Sequence, residues 1–181
     1  MGKFKSSAVL VYGAKKIKEF AAGEWDEVEF ARFFFGIVKQ ARFFLVIRGL
    51  PGSGKSFLAD FLSFGRPNMI SVDPDRFLSS GFGYIEDGGK LVRSIALKHE
   101  LIQGLLSSES SIIVAGAPST ASEIKDFLPK SLPSFVLDLF ISEQDSVSYN
   151  RHGLDAQEIS VRAAAFEPYF EFITKEANVD E

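Results

Sequence analysis

The 181-residue sequence contains no cysteine, which removes disulfides, thiolate metal sites and cysteine nucleophiles from consideration. That composition is compatible with the cytoplasm, the compartment expected for it. Long apolar runs are missing as well. None approaches the ~20 residues of a membrane-spanning helix, and Ala8 to Ala14 is too short for the apolar segment of a secretory signal. A soluble protein without a membrane span is expected. Positive charge is not in excess either: 20 Lys and Arg stand against 24 Asp and Glu, a formal net charge of −4. Binding of nucleic acid over a broad basic face is therefore disfavoured, whereas a small pocket holding one end of a strand remains open.

Apolar side chains are abundant, at 46% of residues, and Phe alone contributes 19. Such a chain folds around a core, and its length suits one α/β domain with little to spare. The rings are expected to fill space between a sheet and its helices. Residues 1–24 read as an N-terminal appendage, with a short strand at Ala8 to Gly13 and a turn of helix at Lys15 to Phe20, and residues 25–181 as the domain proper. Met1-Gly2-Lys3-Phe4-Lys5-Ser6 fits the loose N-myristoylation pattern, although one acyl chain gives only marginal membrane binding.

From Asp26 onward the periodicity sharpens. Phe30, Phe33, Phe34, Ile37 and Val38 make one apolar helical face. If part of the Phe30 to Phe44 segment were exposed, it would offer an apolar surface to a protein partner. Short β-rich runs follow at Phe43 to Arg48, Met69 to Val72, Ser111 to Ala115 and Phe135 to Ile141, with helical stretches at Lys55 to Leu62 and Lys90 to Leu106 between them. Strands alternating with helices predict a mostly parallel sheet covered on both faces, with ligands beyond the carboxyl ends of its strands. Capping-box spacing recurs at Thr120 and Glu123, Ser142 and Asp145, and Asp155 and Glu158, so a helix opens at each and the last two meet near Gly153.

The strongest local signal is Gly49-Leu50-Pro51-Gly52-Ser53-Gly54-Lys55-Ser56, a complete G-x-x-x-x-G-K-S between an expected strand and an expected helix. Glycines let the backbone curl so that successive N–H groups face phosphate oxygens, with the helix N-terminus adding positive charge. In this cradle Gly49, Pro51, Gly52, Ser53 and Gly54 line the phosphates, Lys55 reaches the β- and γ-phosphates, and Ser56 ligates Mg²⁺. A nucleoside triphosphate is the expected ligand. At the end of the second β-run, Asp73, Asp75 and Arg76 lie beside the presumed γ-phosphate. Asp73 suits either a base for an acceptor hydroxyl and an orienter of the metal's water, or an N-cap before Pro74; Arg76 suits an acceptor phosphate.

These residues carry a family resemblance. Val46 to Ser56, Ile70-Ser71-Val72-Asp73, and Tyr149-Asn150-Arg151-His152-Gly153-Leu154 leading to Phe166-Glu167 resemble the polynucleotide-kinase-like P-loop family, over residues 42–175. That family includes the phage 5′-hydroxyl polynucleotide kinase and the kinase-like domain of the myelin cyclic-nucleotide phosphodiesterase. The resemblance implies an α/β P-loop kinase fold with a C-terminal helical lid, ATP and Mg²⁺ as ligands, and Asp73 as general base. It also implies charge supplied to the phosphates by Arg151 or Arg162, and a lid that includes His152. His99, within an expected helix, reads as structural. Phosphoryl transfer to a hydroxyl, foremost the 5′-hydroxyl of a polynucleotide, is the expected function. One departure stands out: where the family has an Asp-Thr-Asn-like triplet, this chain has Ala115-Gly116-Ala117-Pro118-Ser119, with no carboxylate. A nucleotide-binding interaction module of little or no activity is therefore an alternative, as is a kinase of small nucleosides or nucleotide sugars.

Overall fold

The computed structural model describes residues 7–13, 15–20, 28, 32, 34–35, 42–80, 83–84, 88–116, 120–150 and 152–173. Its centre is β3 (Phe44–Gly49), flanked on one side by β7 (Ser111–Ala115) and then β4 (Met69–Val72), and on the other by β8 (Ser134–Phe140). These four strands are mutually parallel. β1 (Ser7–Tyr12) joins β8 antiparallel and β2 (Lys15–Phe20) closes that edge, giving a six-stranded sheet in the order β2-β1-β8-β3-β7-β4.

The apolar runs of β3, β7 and β8 become central strands because both of their faces are covered, while β4 forms the half-buried edge. Phe43, Leu45 and Ile47 point to one face, where Leu58 and Leu62 of α1 (Lys55–Ser63) and Phe34 pack. Phe44 and Val46 point to the other, against Ile102 of α3 (Gly88–Leu106), Ile124 of α4 (Ala121–Phe127) and Tyr169. This is the period-2 alternation of a strand buried twice. Between β4 and α3 lie the single-turn α2 (Asp75–Leu78) and the small β5–β6 ladder (Ser79–Ser80 with Gly83–Tyr84). After β8 come α5 (Glu143–Tyr149) and α6 (Ala156–Ala165), followed by helical residues 169–173.

The structure corrects the expectations at two elements. Residues 15–20 form a strand and not a helical turn, because Gly13 (φ +60°) reverses the chain and lays it along β1. Ladder bonds to a neighbour outweigh a weak local helix preference. At Thr120 the helix starts as expected, but the hydroxyl bonds the Glu123 carboxylate at 2.6 Å and makes no bond to the helix's backbone. The other two caps form: Ser142 accepts from the Asp145 N–H, and Asp155 with Glu158 makes a reciprocal box. Gly153 (φ +70°) lies between those helices. Of the Phe30 to Val38 helix, Phe34 and Phe35 are helical, with Phe34 fully buried, while Phe30, Phe33, Ile37 and Val38 lie outside the described residues. Phe43 and Phe44 are core residues, which removes them from any exposed apolar surface.

Candidate functional site

The carboxyl ends of β3, β4, β7 and β8 define one edge of the parallel sheet, and the chemistry-bearing residues collect there. β3 runs directly into the loop of residues 49–56, and α1 starts at Lys55. Positive φ at Gly49 (+143°), Gly52 (+79°) and Gly54 (+88°) bends this loop. At Gly49 a side chain would lie 2.5 Å from the Leu139 carbonyl oxygen, and at Gly52 it would lie 2.8 Å from the Asn150 nitrogen. Glycine is required at both by contact as well as by torsion.

Inside the loop the Lys55 ammonium folds back, donating to the carbonyls of Gly49 at 2.9 Å and Leu50 at 2.8 Å. Burial lowers it to about 8, against the opposing pull of Asp75 and Asp73, and the Arg162 charge lowers it further. The Ser53 hydroxyl is buried and has no hydrogen-bond partner among the described residues. A curled glycine loop, an orphaned hydroxyl and a partly desolvated ammonium without a carboxylate hydrogen bond fit a phosphate chain. Ser56 is the second residue of α1.

Asp73 follows β4 and is buried. Its capping role is seen directly. Its Oδ1 accepts the Asp75 N–H at 3.0 Å, opening α2, while its Oδ2 lies 4.0 Å from Arg76 Nε and its charge acts on Lys55. Asp75 faces His152 Nε2 at 3.6 Å. Burial raises the Asp75 carboxyl, the nearby Asp73 charge adds to that, and His152, Lys55 and Arg162 oppose it. Arg76 leans outward onto the Asp60 carboxylate of α1. Thus Lys55, Asp73, Asp75, His152 and Arg162 form one electrostatic group with Arg76 at its rim. Arg151 lies outside the described residues.

Beside Asp73 stands Gly116, at the end of β7. A Cβ there would come within 3.8 Å of Asp73 Oδ1 and 3.4 Å of the Pro74 ring. Gly116 thus adjoins Asp73 without adding a carboxylate; residues 117–119 lie outside the described residues. Among the described residues no group of three or more His, Asp or Glu side chains gathers as a metal cage. His99 is on α3, its ring edge-on to Phe127 at 5.6 Å.

Sequence reasoning missed three residues. Arg48 and Asp138 are register partners on β3 and β8, with Nη1 to Oδ1 at 3.4 Å, both buried. Burial lowers the guanidinium and raises the carboxyl, each opposed by the other's charge. A charged residue inside each of two apolar β-runs was the available signal. Lys98 of α3 is also buried, its ammonium 5.3 Å from the Phe127 ring centre, with burial lowering it against the charges of Asp75 and Glu123. Periodicity alone gave no reason to separate it from solvated lysines.

No protein-family model matches the chain, and no curated protein matches it. Among solved structures, a chain of the Pnkp1/Rnl/Hen1 RNA repair complex is similar at 17% identity with a TM-score of 0.57, over 75% of this chain and 46% of that one. A chain from another structure of the Pnkp1/Rnl/Hen1 complex is similar at 18% identity and a TM-score of 0.50, over 59% of this chain and 38% of that one. The chain thus spans less than half the length of these neighbours, and at such identities the likeness is one of α/β fold.

Proposed function

We propose that this chain is a P-loop phosphotransferase that moves the γ-phosphoryl group of ATP to a hydroxyl, foremost the 5′-hydroxyl of a polynucleotide. The observation that carries this reading is the convergence of Lys55, Asp73, Asp75 and Arg162 at the carboxyl edge, next to a glycine loop with an orphaned buried hydroxyl. Loop amides and Lys55 would hold the β- and γ-phosphates, and Ser56 would hold Mg²⁺ with Asp73 orienting its water. The bound cation supplies charge neutralisation during transfer.

Asp73 Oδ2 is the oxygen left for chemistry, because Oδ1 is engaged by Asp75 N–H. It takes the acceptor's proton as the acceptor oxygen bonds to the γ-phosphorus and the bond to the β–γ bridging oxygen breaks, releasing ADP. Arg162, in the last turn of α6 on a lid formed by α5 and α6, would supply positive charge to the phosphates, its charge being felt at Lys55. Arg76 at the rim, exchanging Asp60 for an acceptor phosphate, suits a strand end. Likeness in fold to a chain of an RNA repair complex supports a nucleic-acid acceptor over a small one.

Labelled γ-phosphate transfer to a 5′-hydroxyl oligonucleotide tests this, with Lys55→Ala and Asp73→Asn alongside. Product lost in both variants supports the reading. The Ala115 to Ser119 stretch, which has no carboxylate, favours a second one: a nucleotide-binding module of little or no activity. Lys55-dependent ATP binding without transfer to the oligonucleotide or to nucleosides would decide for that module.

A further inference from the structure

The two helices after β8 are tied down at both ends, one to the glycine loop and the other to strands β3 and β8. At the near end, the fully buried Ser146 of α5 donates its hydroxyl to the Pro51 carbonyl at 2.6 Å, and the backbone around Asn150 packs onto Gly52. Asn150 then clasps the turn into α6: its side-chain oxygen accepts the Leu154 N–H at 3.0 Å and its amide donates to the Leu154 carbonyl at 3.2 Å. At the far end, the chain leaving α6 runs over Arg48. Its Nη2 donates to the Glu167 carbonyl at 2.8 Å, and its guanidinium carbon lies 4.9 Å from the Phe166 ring centre. Asp138 Oδ2 accepts the Tyr169 N–H at 2.7 Å while Oδ1 faces Arg48.

Arg48 immediately precedes Gly49. The side chain that grips the exit of α6 therefore belongs to the strand that delivers the loop, and Arg162 sits in the last turn of the helix so gripped. We propose that the buried Arg48–Asp138 pair is a positioning device, which fixes the C-terminal end of α6 and so sets where Arg162 stands relative to Lys55. The pair touches no substrate. Its role rests on the phosphotransferase reading only for what Arg162 does once in place. A pair kept solely for stability would gain little from burial, since desolvating two charges offsets most of their attraction; here each member also binds backbone of the segment it anchors.

The absence of cysteine permits a direct test. Spin labels on Glu109→Cys and Ser160→Cys, both exposed positions, report the distance between the body and α6. Asp138→Asn, which retains an acceptor for Tyr169 but loses the charge facing Arg48, is expected to broaden that distance distribution and to weaken ATP binding by about tenfold, ~1.4 kcal/mol. In an Arg162→Ala background the same substitution is expected to change ATP affinity less than twofold, because the residue it positions is gone. Arg48→Lys keeps the charge pair but loses the grip on Glu167, and is expected to broaden the distribution too. A distribution as narrow as wild type in folded Asp138→Asn or Arg48→Lys would overturn the proposal, as would affinity losses that simply add. If the wild-type chain shows no Lys55-dependent ATP binding, the phosphotransferase reading fails, while the distance measurement still decides the anchoring.

Discussion

Two Arg–Asp pairs flank the candidate site, and they differ in nearly everything but composition. Arg48 and Asp138 are 1% and 2% exposed, lie on neighbouring central strands and bind backbone on either side of their contact. Arg76 and Asp60 are 51% and 49% exposed and bridge two helices at the rim. The first pair has no water to replace a lost partner, so it behaves as fixed structure. Water can replace either partner of the second at little cost, and an anion such as a phosphate can replace Asp60, so Arg76 can exchange partners. One guanidinium serves the architecture of the site, and the other is suited to what enters it.

The largest expected effect comes from breaking the fixed pair. Asp138→Ala strands a buried guanidinium and the Tyr169 N–H, and should cost about 3–5 kcal/mol in urea unfolding. A loss under ~1 kcal/mol would place this pair with the exposed one. Gly52→Ala attacks the other anchor of the same two helices. A Cβ 2.8 Å from the Asn150 nitrogen, at φ +79°, should destabilise by roughly 2 kcal/mol or more and loosen α5 from the loop.

Lys55 tests whether the loop carries a desolvated charge of its own. Burial lowers its ammonium from 10.5 to about 8. Below pH 8 both folded and unfolded chains hold the proton, and the folded state bears the full cost. Between about 8 and 10.5 the unfolded chain alone remains protonated, so this contribution to stability rises with pH. Lys55→Met should therefore raise the ligand-free Tm at pH 7 by a few degrees, roughly 1 kcal/mol, with a smaller gain above pH 8. ATP affinity of the wild type should fall as pH rises through 8, where the ammonium is lost. The smallest effect sharpens the contrast: Asp60→Asn should leave stability within ~1 kcal/mol of wild type and, by releasing Arg76, improve oligonucleotide KM by about threefold.

Much of the fold was legible because its signals are local. Met69–Val72 and Ser111–Ala115 form over the residues of their β-rich runs, the first as the half-buried edge strand and the second as a buried one with apolar side chains on both faces. The α6 cap was readable from the Asp155 and Glu158 spacing alone, and the glycine loop from its pattern. What escaped depends on partners distant in sequence. Residues 15–20 became a strand because β1 was there to pair with. Arg48 and Asp138 are 90 positions apart in the chain, and only the β3–β8 register brings them side by side. Asp73 could be read as a cap or as a base, and the geometry shows one oxygen capping and the other facing Arg76.

Phosphate binding by the glycine loop is the first requirement of a phosphotransferase here. Calorimetric titration of the wild-type chain and Lys55→Ala with ATP and Mg²⁺ tests that most directly. A single site in the wild type, weakened tenfold or more in the variant, about 1.4 kcal/mol or more, is the predicted result. Equal affinity in the two proteins, or no binding by either, would contradict it.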